Sequence, residues 1–391
     1  MVGVSCVALS AGADSASSSG PNVKITGVYK AYMVGTNQRV RSNKGVQTMN
    51  QGNITFNAGS VANNGLSYGV MAVLDMGRDR KEKDRFTEAY AYLGSDAMGN
   101  FQLGDTNGVS SLMLYDATDV MGGTGGFDAN LDKILNVTRG VDFGQNIGYV
   151  TDGSARSGKL TWMSPEVSGW QVGTSYTPDT SQKGRSQSTY ASAALEKPYA
   201  VNHMEGGLSF TNDSGPYTVG VYLVGALGKA KGPRGTASQG TQLNPVKAWQ
   251  FGTLIDYENW QFGAGYFNNG KSYMRRDTRY TNTHGFNLGV SYGMGPVSLA
   301  LAYTGTERTV TSGKAKADIS SFTVDYSVAD GLAFYGEASY FKFRAPVDHI
   351  NLASGTSGRA YVANTDYLDS NPSTSKGNQG SAFVLGTRIN F

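Results

Sequence analysis

The chain has 391 residues, a formal net charge of +3, 39% hydrophobic residues and 16% charged residues. Both fractions are low for a soluble domain. Because positive and negative charges nearly balance, the composition indicates neither nucleic-acid binding nor a polybasic membrane anchor. The single cysteine, Cys6, excludes a disulfide framework. No stretch approaches the roughly 18 apolar residues of a transmembrane helix. A membrane β-barrel is not excluded, because only alternate residues of its strands face lipid.

Residues 1–20 resemble the end of a secretory signal, with a short apolar segment and small residues near Ala11–Ala13 but no positive segment before them. We interpret them as a signal-peptide remnant, with a disordered tail as the alternative.

From Val23 onward apolar and polar residues alternate with the period of two that is typical of β-strands. A first strand is predicted to end before a polar loop that runs from about Gly35 to Thr48. A second strand, Met49–Val61, is joined to Leu66–Asp75 by a turn whose Asn and Gly residues tolerate positive φ. This hairpin favours antiparallel pairing.

The same hairpin unit repeats to the end of the chain. Further strands are predicted at Arg85–Gly94, Asn100–Thr106, Ser157–Ser164, Gly169–Thr177, His203–Asn212, Pro216–Leu227, Val246–Tyr257, Trp260–Asn269, Thr283–Gly293, Pro296–Thr306, Lys316–Val328, Leu332–Phe343 and Ser381–Phe391. About sixteen strands of roughly ten residues, joined alternately by short and long connections, are typical of bacterial outer-membrane barrels with short periplasmic turns and long outer loops.

The two faces of each strand differ in the way that a barrel requires. Phe286 and Leu288 lie opposite Asn287 and Gly289, so one face suits lipid and the other a wet lumen. Aromatic residues collect near strand ends, as in an interfacial girdle, at Trp170, Tyr257, Trp260, Tyr292 and Tyr326. A soluble β-sandwich or jelly roll also alternates, but its inner face would need bulkier residues.

Residues 107–156 contain no convincing periodic element and carry scattered glycines and acids. A loop of this length inside a compact domain is usually functional. Set into a continuous run of strands, it indicates a segment folded into the barrel opening. The predicted organisation is therefore an all-β transmembrane barrel over 21–391, with 107–156 as its constriction loop.

The last strand places Phe383, Leu385, Ile389 and Phe391 on one face. An alternating strand that ends in a C-terminal aromatic residue resembles the recognition signal of outer-membrane barrels. We therefore expect Phe391 to serve as a signal to the barrel-assembly machinery.

Two motifs resemble Gram-negative general porins, most closely their alphaproteobacterial branch. The segments Glu88–Gly94 and Gly99–Asp105 are similar to the strands that lead into the third, inward-folded loop of those proteins, and Trp162–Trp170 is similar to the turn that follows it. With the first strand and the terminal Phe391, the resemblance spans Val23–Phe391. The length of the 107–156 loop departs from the family pattern.

The resemblance implies a homotrimeric, water-filled channel in the outer membrane for passive diffusion of small hydrophilic solutes and ions. It implies acidic residues on the third loop that face basic residues on the wall across a narrow passage. The loop acids are then Asp116, Asp119, Asp128 and Asp132, with Asp105 at the loop's root. By strand parity the inward basic residues are Lys24, Lys30, Lys159 and Arg388, and Glu88, Asp325 and Glu337 also face the lumen.

The sequence is also compatible with functions other than a diffusion channel. A barrel enzyme would need a nucleophile and a base, and His203, His284 and His349 follow no recognisable constellation, so each is interpreted as a loop or rim residue. An adhesin or receptor would act through its long loops, Pro178–Asn202 and Arg344–Gly380, which are also compatible with lipopolysaccharide contact. A sugar- or phosphate-specific channel is a variant of the porin hypothesis. No cofactor is expected, although the acidic loop offers oxygen ligands that suit Ca²⁺.

Overall fold

The alternating strands close into a single barrel in the computed structural model. The structure describes residues 21–39, 45–77, 86–128, 134–135, 156–182, 184, 198–232, 242–274, 276, 282–310, 313–344 and 377–391. Each strand pairs antiparallel with its neighbours in the chain, and β1 pairs with β16 to complete the circle. The predicted all-β transmembrane barrel is therefore confirmed.

Sixteen strands form the wall, as the spacing of the hairpins predicts. They are β1 Asn22–Gln38, β2 Val46–Val61, β3 Ser67–Asp75, β4 Phe86–Ser95, β5 Gly99–Asp105, β6 Gly158–Met163, β7 Trp170–Asp179, β8 Tyr199–Ser214, β9 Tyr217–Lys231, β10 Val246–Tyr257, β11 Trp260–Gly270, β12 Thr283–Met294, β13 Val297–Val310, β14 Gly313–Ala329, β15 Leu332–Arg344 and β16 Asn378–Asn390. Neither helical segment of the described residues has the length and apolar character to cross a membrane.

The predicted loop from Gly35 to Thr48 is too long. Strand β1 continues to Gln38, β2 begins at Val46, and Gly35 pairs with Val46. Above the apolar band a barrel strand no longer needs lipid-facing apolar residues, while its backbone pairing persists. Polarity alone therefore placed the end of the strand too early.

Side chains alternate between the two faces of the wall. Leu301 is 54% exposed on the outside, whereas its neighbours Ala300 and Ala302 are buried on the inside. At the short-turn end the outward aromatic rings contact one another across strands. Ring centroids lie 4.5 Å apart for Trp260 and Tyr292, 4.7 Å for Tyr217 and Tyr257, and 4.8 Å for Trp170 and Phe210.

The wall is not of uniform height. Strands β3 to β7 have only 6 to 10 residues, whereas the others have 11 to 17. We call β3 to β7 the low wall and β8 to β16 the tall wall. The loop that follows β5 enters the barrel from the low wall.

Candidate functional site: the constriction loop and its wall

The constriction loop, residues 107–156, begins at the end of β5 and lies against the inside of the wall. A single-turn helix, α1 Val109–Leu112, follows its first residues, and a 3-10 turn occupies Gly126–Asp128. Its described contacts start at β4, β6 and β7 and continue through the tall wall to β1. The loop is thus fixed to a large part of the inner circumference.

The root of the loop is tied down by inward side chains of β4 and β6. Lys159 Nζ donates a hydrogen bond to the Thr106 carbonyl oxygen at 2.6 Å, and Lys159 is buried. Asn107 Nδ2 donates to Glu88 Oε1 at 3.0 Å. Arg156, at the far end of the loop, places its Nε 3.2 Å from the same oxygen. Both ends of the loop therefore meet at Glu88.

Asp105, the last residue of β5, contacts a different loop. Its Oδ1 accepts a hydrogen bond of 2.9 Å from the backbone N–H of Gly184. This carboxylate therefore joins the constriction loop's root to the segment that follows β7.

Helix α1 is held by a buried carboxylate of β8. The backbone N–H and the hydroxyl of Ser110 both donate to Glu205 Oε2, at 2.9 and 2.7 Å. His203 Nδ1 lies 3.5 Å from Glu205 Oε1, and both side chains are buried. The interpretation of His203 as a rim residue was wrong, because β8 begins four residues earlier, at Tyr199, and carries His203 on its inner face.

The apolar side of α1 packs on glycine and small residues of the wall. Val109 and Met113 are buried in a cluster with Val224 and Ala226. A Cβ atom at Gly207 would lie 2.6 Å from Met113 Sδ, which is closer than van der Waals contact permits. Small inward residues, which sequence parity attributed to a wet lumen, here provide room for the loop.

Asp116 forms the central attachment of the loop and is completely buried. Its Oδ2 accepts hydrogen bonds from Tyr222 Oη at 3.3 Å and from Gln250 Nε2 and Asn287 Nδ2, both at 3.1 Å. Its Oδ1 accepts from the backbone N–H and the hydroxyl of Thr118, at 2.9 and 2.7 Å. The partners of this carboxylate are therefore uncharged residues of β9, β10 and β12 and of the loop itself.

Asp119 sits one turn beyond Asp116, and its Oδ2 accepts a 3.0 Å hydrogen bond from the Asp116 backbone N–H. Burial raises the pKa of Asp119 to about 7, and the neighbouring carboxylates of Asp116 and Asp256 act in the same direction. The hydrogen bond from Asp116 N–H opposes this rise. Asp119 therefore titrates near neutral pH.

The tip of the loop lies between charges of β1 and β14. Gly123 N–H donates to Asp325 Oδ2 at 2.8 Å, and Lys30 Nζ donates to the Gly123 carbonyl oxygen at 2.8 Å. Arg388 Nη1 lies 3.2 Å from Asp325 Oδ1. Gly123 is thus held by opposite charges at its two backbone groups, because its N–H needs an acceptor and its carbonyl oxygen needs a donor.

The next residue, Thr124, is attached to β15. Its backbone N–H and hydroxyl donate to Glu337 Oε2, at 3.2 and 2.5 Å. Together with Glu205 and Asp325, Glu337 shows a common arrangement: the wall supplies carboxylates and the loop supplies N–H and hydroxyl donors. At these three contacts the polarity is opposite to the expected one, in which the loop supplies acids and the wall bases. Asp116 of the loop and Lys30 of the wall keep the expected signs.

Beyond the tip, apolar residues attach the loop to the wall. Phe127, Ile134 and Leu135 belong to one buried cluster with inward-facing residues of β14 and β15, namely Ile319, Phe341 and Phe343. Bulky inward residues do not suit a wet lumen. They are covered by the loop instead.

The predicted site residues fall into three groups. The contacts of the loop or its root, described above, involve Asp116, Asp119, Lys30, Lys159 and Arg388. Asp105 instead pairs with Ala89, whose side chain faces outward, so its carboxylate lies on the outer face of β5 and not at the constriction. Lys24 is exposed and pairs with Asn57 near the short-turn end, six residues and about 20 Å along β1 from Lys30. Asp128 lies in the 3-10 turn, and Asp132 lies outside the described residues. Within the described ranges, no group of three or more His, Cys, Asp or Glu residues is placed to hold a metal ion.

Sequence reasoning missed the uncharged anchors of Asp116 and the role of Glu205. Strand parity does place Gln250 and Asn287 on the inner face. No periodic signal, however, states which loop residue a given wall residue meets. The bulky inward Phe341 and Phe343 were the available hint that part of the wall is covered.

Comparison with known proteins connects this architecture to one family. A sequence profile of Gram-negative porins matches residues 3–346. An uncharacterized protein of Rickettsia conorii is 25% identical in an alignment 347 residues long, which covers 75% of this chain and 78% of that protein. An uncharacterized protein of Rickettsia prowazekii is 25% identical in an alignment 314 residues long, which covers 66% of this chain and 70% of that protein.

Solved structures share the fold at low sequence identity. An anion-selective porin from Comamonas acidovorans has a TM-score of 0.61 at 13% identity, covering 95% of this chain and 100% of its own. The trimer form of OmpT, an outer membrane protein of Vibrio cholerae, has a TM-score of 0.58 at 12% identity with the same coverage. A mutant of Rh. blastica porin has a TM-score of 0.55 at 12% identity, again with the same coverage.

Proposed function

The chain belongs to the Gram-negative porin family, and from this premise we propose that it is a homotrimeric diffusion channel of the outer membrane for small hydrophilic solutes and ions. The single observation that carries the proposal is the long loop held inside a closed barrel by buried hydrogen bonds on many strands. A wall that is apolar outside and lined by a fixed polar loop inside has no use in a soluble protein. It provides a polar passage across an apolar layer.

The solute path runs between the constriction loop and the inner face of β2 to β5. The described part of the loop follows β7 to β15 and reaches β1 at Lys30, so its free side faces the opposite wall. That wall carries amide and hydroxyl side chains on its inner face, which include Gln51, Asn53, Thr55 and Gln102. Charged residues on the same face are Asp75 and Glu88, and Glu88 is paired with Arg156. This lining supports passage of hydrophilic solutes with weak preference for either sign of charge.

The low wall is the proposed trimer interface. Strand β6 has 6 residues, which at about 3.3 Å per residue and a tilt of about 40° span only ~15 Å. The apolar band of an outer-membrane barrel is about 25 Å tall, so this sector is too short to face lipid alone. Its outward side chains on β4 include the small residues Ala89 and Ala91, which permit close approach of a second barrel.

Assembly through the barrel-assembly machinery is part of the proposal. Phe391 is 56% exposed on the outside of the barrel, and its backbone exchanges hydrogen bonds with Gly27 of β1 at 2.7 and 3.0 Å. The Phe391 ring is therefore available to a recognition partner before the barrel closes. After β16 has paired with β1, the ring lies beside β1.

A catalytic role is not proposed. Ser110, Glu205 and His203 form a Ser–Glu–His cluster, but all three are at least 97% buried. The serine hydroxyl donates to the glutamate beneath the docked loop, and this burial keeps a substrate from reaching it. The cluster serves to attach the loop.

Single-channel recording in a planar lipid bilayer tests the function. Detergent-purified folded protein is expected to insert in conductance steps that close in threes, with a small reversal potential in a salt gradient. Folded barrel that inserts without any conductance contradicts the proposal and favours an adhesin or receptor that acts through its long loops.

A further inference from the structure

The turn that follows β11, residues 271–274, lies at the long-loop end of the wall and is largely buried. The register of β11 against β12 shifts between Asn268 and Gly270, which marks a β-bulge. Asn268 Oδ1 accepts a hydrogen bond of 2.8 Å from the Gly270 N–H. Bulges redirect a strand where they occur, and the last three residues of the turn that follows are buried. The chain is thus folded back over the wall as soon as β11 ends.

Hydrogen bonds fix this turn to the residues that lead into β10. Ser272 Oγ accepts a hydrogen bond of 2.9 Å from the Lys247 N–H and donates one of 3.2 Å to the Lys247 carbonyl oxygen. The backbone N–H and the side-chain amide of Asn244 both donate to the Met274 carbonyl oxygen, at 2.7 and 3.1 Å. The turn therefore has a defined position relative to the tall wall.

Tyr273 has a backbone conformation that does not suit its side chain. Its φ is 60°, in the left-handed region, where a bulky residue is an outlier and Gly or Asn is favoured. The residue is nevertheless buried, with 8% of its surface exposed. A strained backbone persists only when the surrounding contacts enforce it. The contacts of the Tyr273 ring are therefore the feature that needs an explanation.

The Tyr273 ring belongs to the buried cluster that also contains Val109 of α1 and Met113 directly after it. The members of this cluster that the wall supplies at the long-loop end are mostly small. They are Ala200, Ala226, Ala230, Val246 and Ala248. Small inward residues leave space inside the wall, and interiors are close-packed. The ring fills this space beside the helix.

The same row of the wall also carries the polar attachment of α1. Ala248 pairs with Ala226 in the strand register, and Ala226 pairs with Glu205. Glu205 accepts both hydrogen bonds that Ser110 donates. Helix α1 is thus held by a carboxylate and by an apolar cluster at one level of the wall, and the turn after β11 completes the cluster.

We propose that Tyr273 is a positioning residue of the passage, because its ring closes the space beside α1 and keeps this helix against the wall. The inference rests on the proposed channel function. It adds that a turn between the outer loops and the wall, and not the wall alone, determines where the constriction loop lies. Loosening of residues 271–274 from the outer side then also releases α1.

The experiment compares four variants. Tyr273→Gly removes the ring and relieves the backbone strain, so the turn itself is kept. Tyr273→Phe keeps the ring. Ser272→Ala removes the two hydrogen bonds to Lys247 and leaves the apolar cluster untouched. The matched control, Tyr340→Ala, removes a tyrosine that is 51% exposed on the outside of β15.

Hydrogen exchange by mass spectrometry is followed in peptides that cover 108–115 and 270–274, and single-channel current is recorded for each variant. In Tyr273→Gly, residues 108–115 are expected to exchange at least about tenfold faster than in wild type, while strand peptides stay protected. Ser272→Ala should act in the same direction in both peptides. Brief partial closures should accompany the faster exchange, because α1 can leave the wall only toward the passage. Tyr273→Phe and the control should behave as wild type.

Three outcomes overturn the proposal. The first is wild-type exchange of 108–115 in Tyr273→Gly. The second is a Tyr273→Phe variant that exchanges as fast as Tyr273→Gly, because the ring would then not be responsible. The third is faster exchange of 270–274 in Ser272→Ala without any change in 108–115, and this variant decides alone if Tyr273→Gly does not fold. A wild type without conductance contradicts the channel function instead, since the exchange data still report the position of α1.

Discussion

Replacing Asp116 by Asn tests whether the constriction loop is held by its buried carboxylate. The amide keeps the shape of the side chain but has one acceptor atom instead of two. In its less costly orientation the amide nitrogen faces the Thr118 N–H, which then loses its partner in a buried site. The three wall donors keep an acceptor that no longer carries charge.

The size of the effect follows from these contacts. A buried donor without a partner costs about 1–3 kcal/mol, and a hydrogen bond loses about 1 kcal/mol when its charged partner becomes neutral. With Thr118 N–H unpaired and three wall contacts at Asp116 weakened, loop docking loses about 4 kcal/mol in total. That energy corresponds to an approximately thousandfold larger population of undocked loop.

Hydrogen exchange measured by mass spectrometry reports this population directly. Peptides from 113–125 in Asp116→Asn are expected to exchange much faster than in wild type, while strand peptides stay protected, and open-channel current noise is expected to increase. Asp213→Asn, which changes an exposed acid at the short-turn end, serves as the control. Wild-type exchange of the loop in Asp116→Asn would refute the assignment of Asp116 as an anchor.

Three further predictions concern the loop and the interface. Because the pKa of Asp119 is raised from its ordinary value to about 7, the docked loop binds more protons than the released one. Docking should therefore weaken as pH rises from about 4 to about 7. This is measured as faster exchange of the loop after correction for intrinsic rates, and Asp119→Asn should reduce this dependence. Gly122→Ala places a Cβ against a wall carboxylate and should raise current noise, whereas Gly206→Ala, which has open space around it, should not. Ala91→Trp on the low wall should convert the trimer to monomer on native gels, whereas Ala264→Trp on the tall wall should leave the trimer intact. If both variants remain trimeric, the interface lies elsewhere.

Sequence periodicity predicted the barrel well because strand alternation is a local property. The turn between β2 and β3, the bounds of β10, and the outward side of Phe286 and Leu288 all follow from neighbouring residues. Strand ends at the long-loop side, such as Gln38, were predicted less accurately, since backbone pairing continues where the apolar pattern stops.

The loop's attachments could not be predicted in the same way. Asp116 and its partner Asn287 are 171 residues apart, and no local pattern links them. Charge sign was also a poor guide, because a buried loop backbone needs acceptors and Glu337 on the wall provides one. The expectation of acids on the loop and bases on the wall considered only side chains.

The contacts at the loop tip also constrain the order of assembly. Gly123 and Thr124 are held by Lys30 near the start of the chain and by Asp325 and Glu337 near its end, at sequence separations of 93, 202 and 213 residues. These partners come together only when β1 has met β16. The passage therefore acquires its final width after closure, and an incompletely folded chain holds its loop by the earlier attachments alone. Docking of the loop tip therefore requires that the circle of strands is complete.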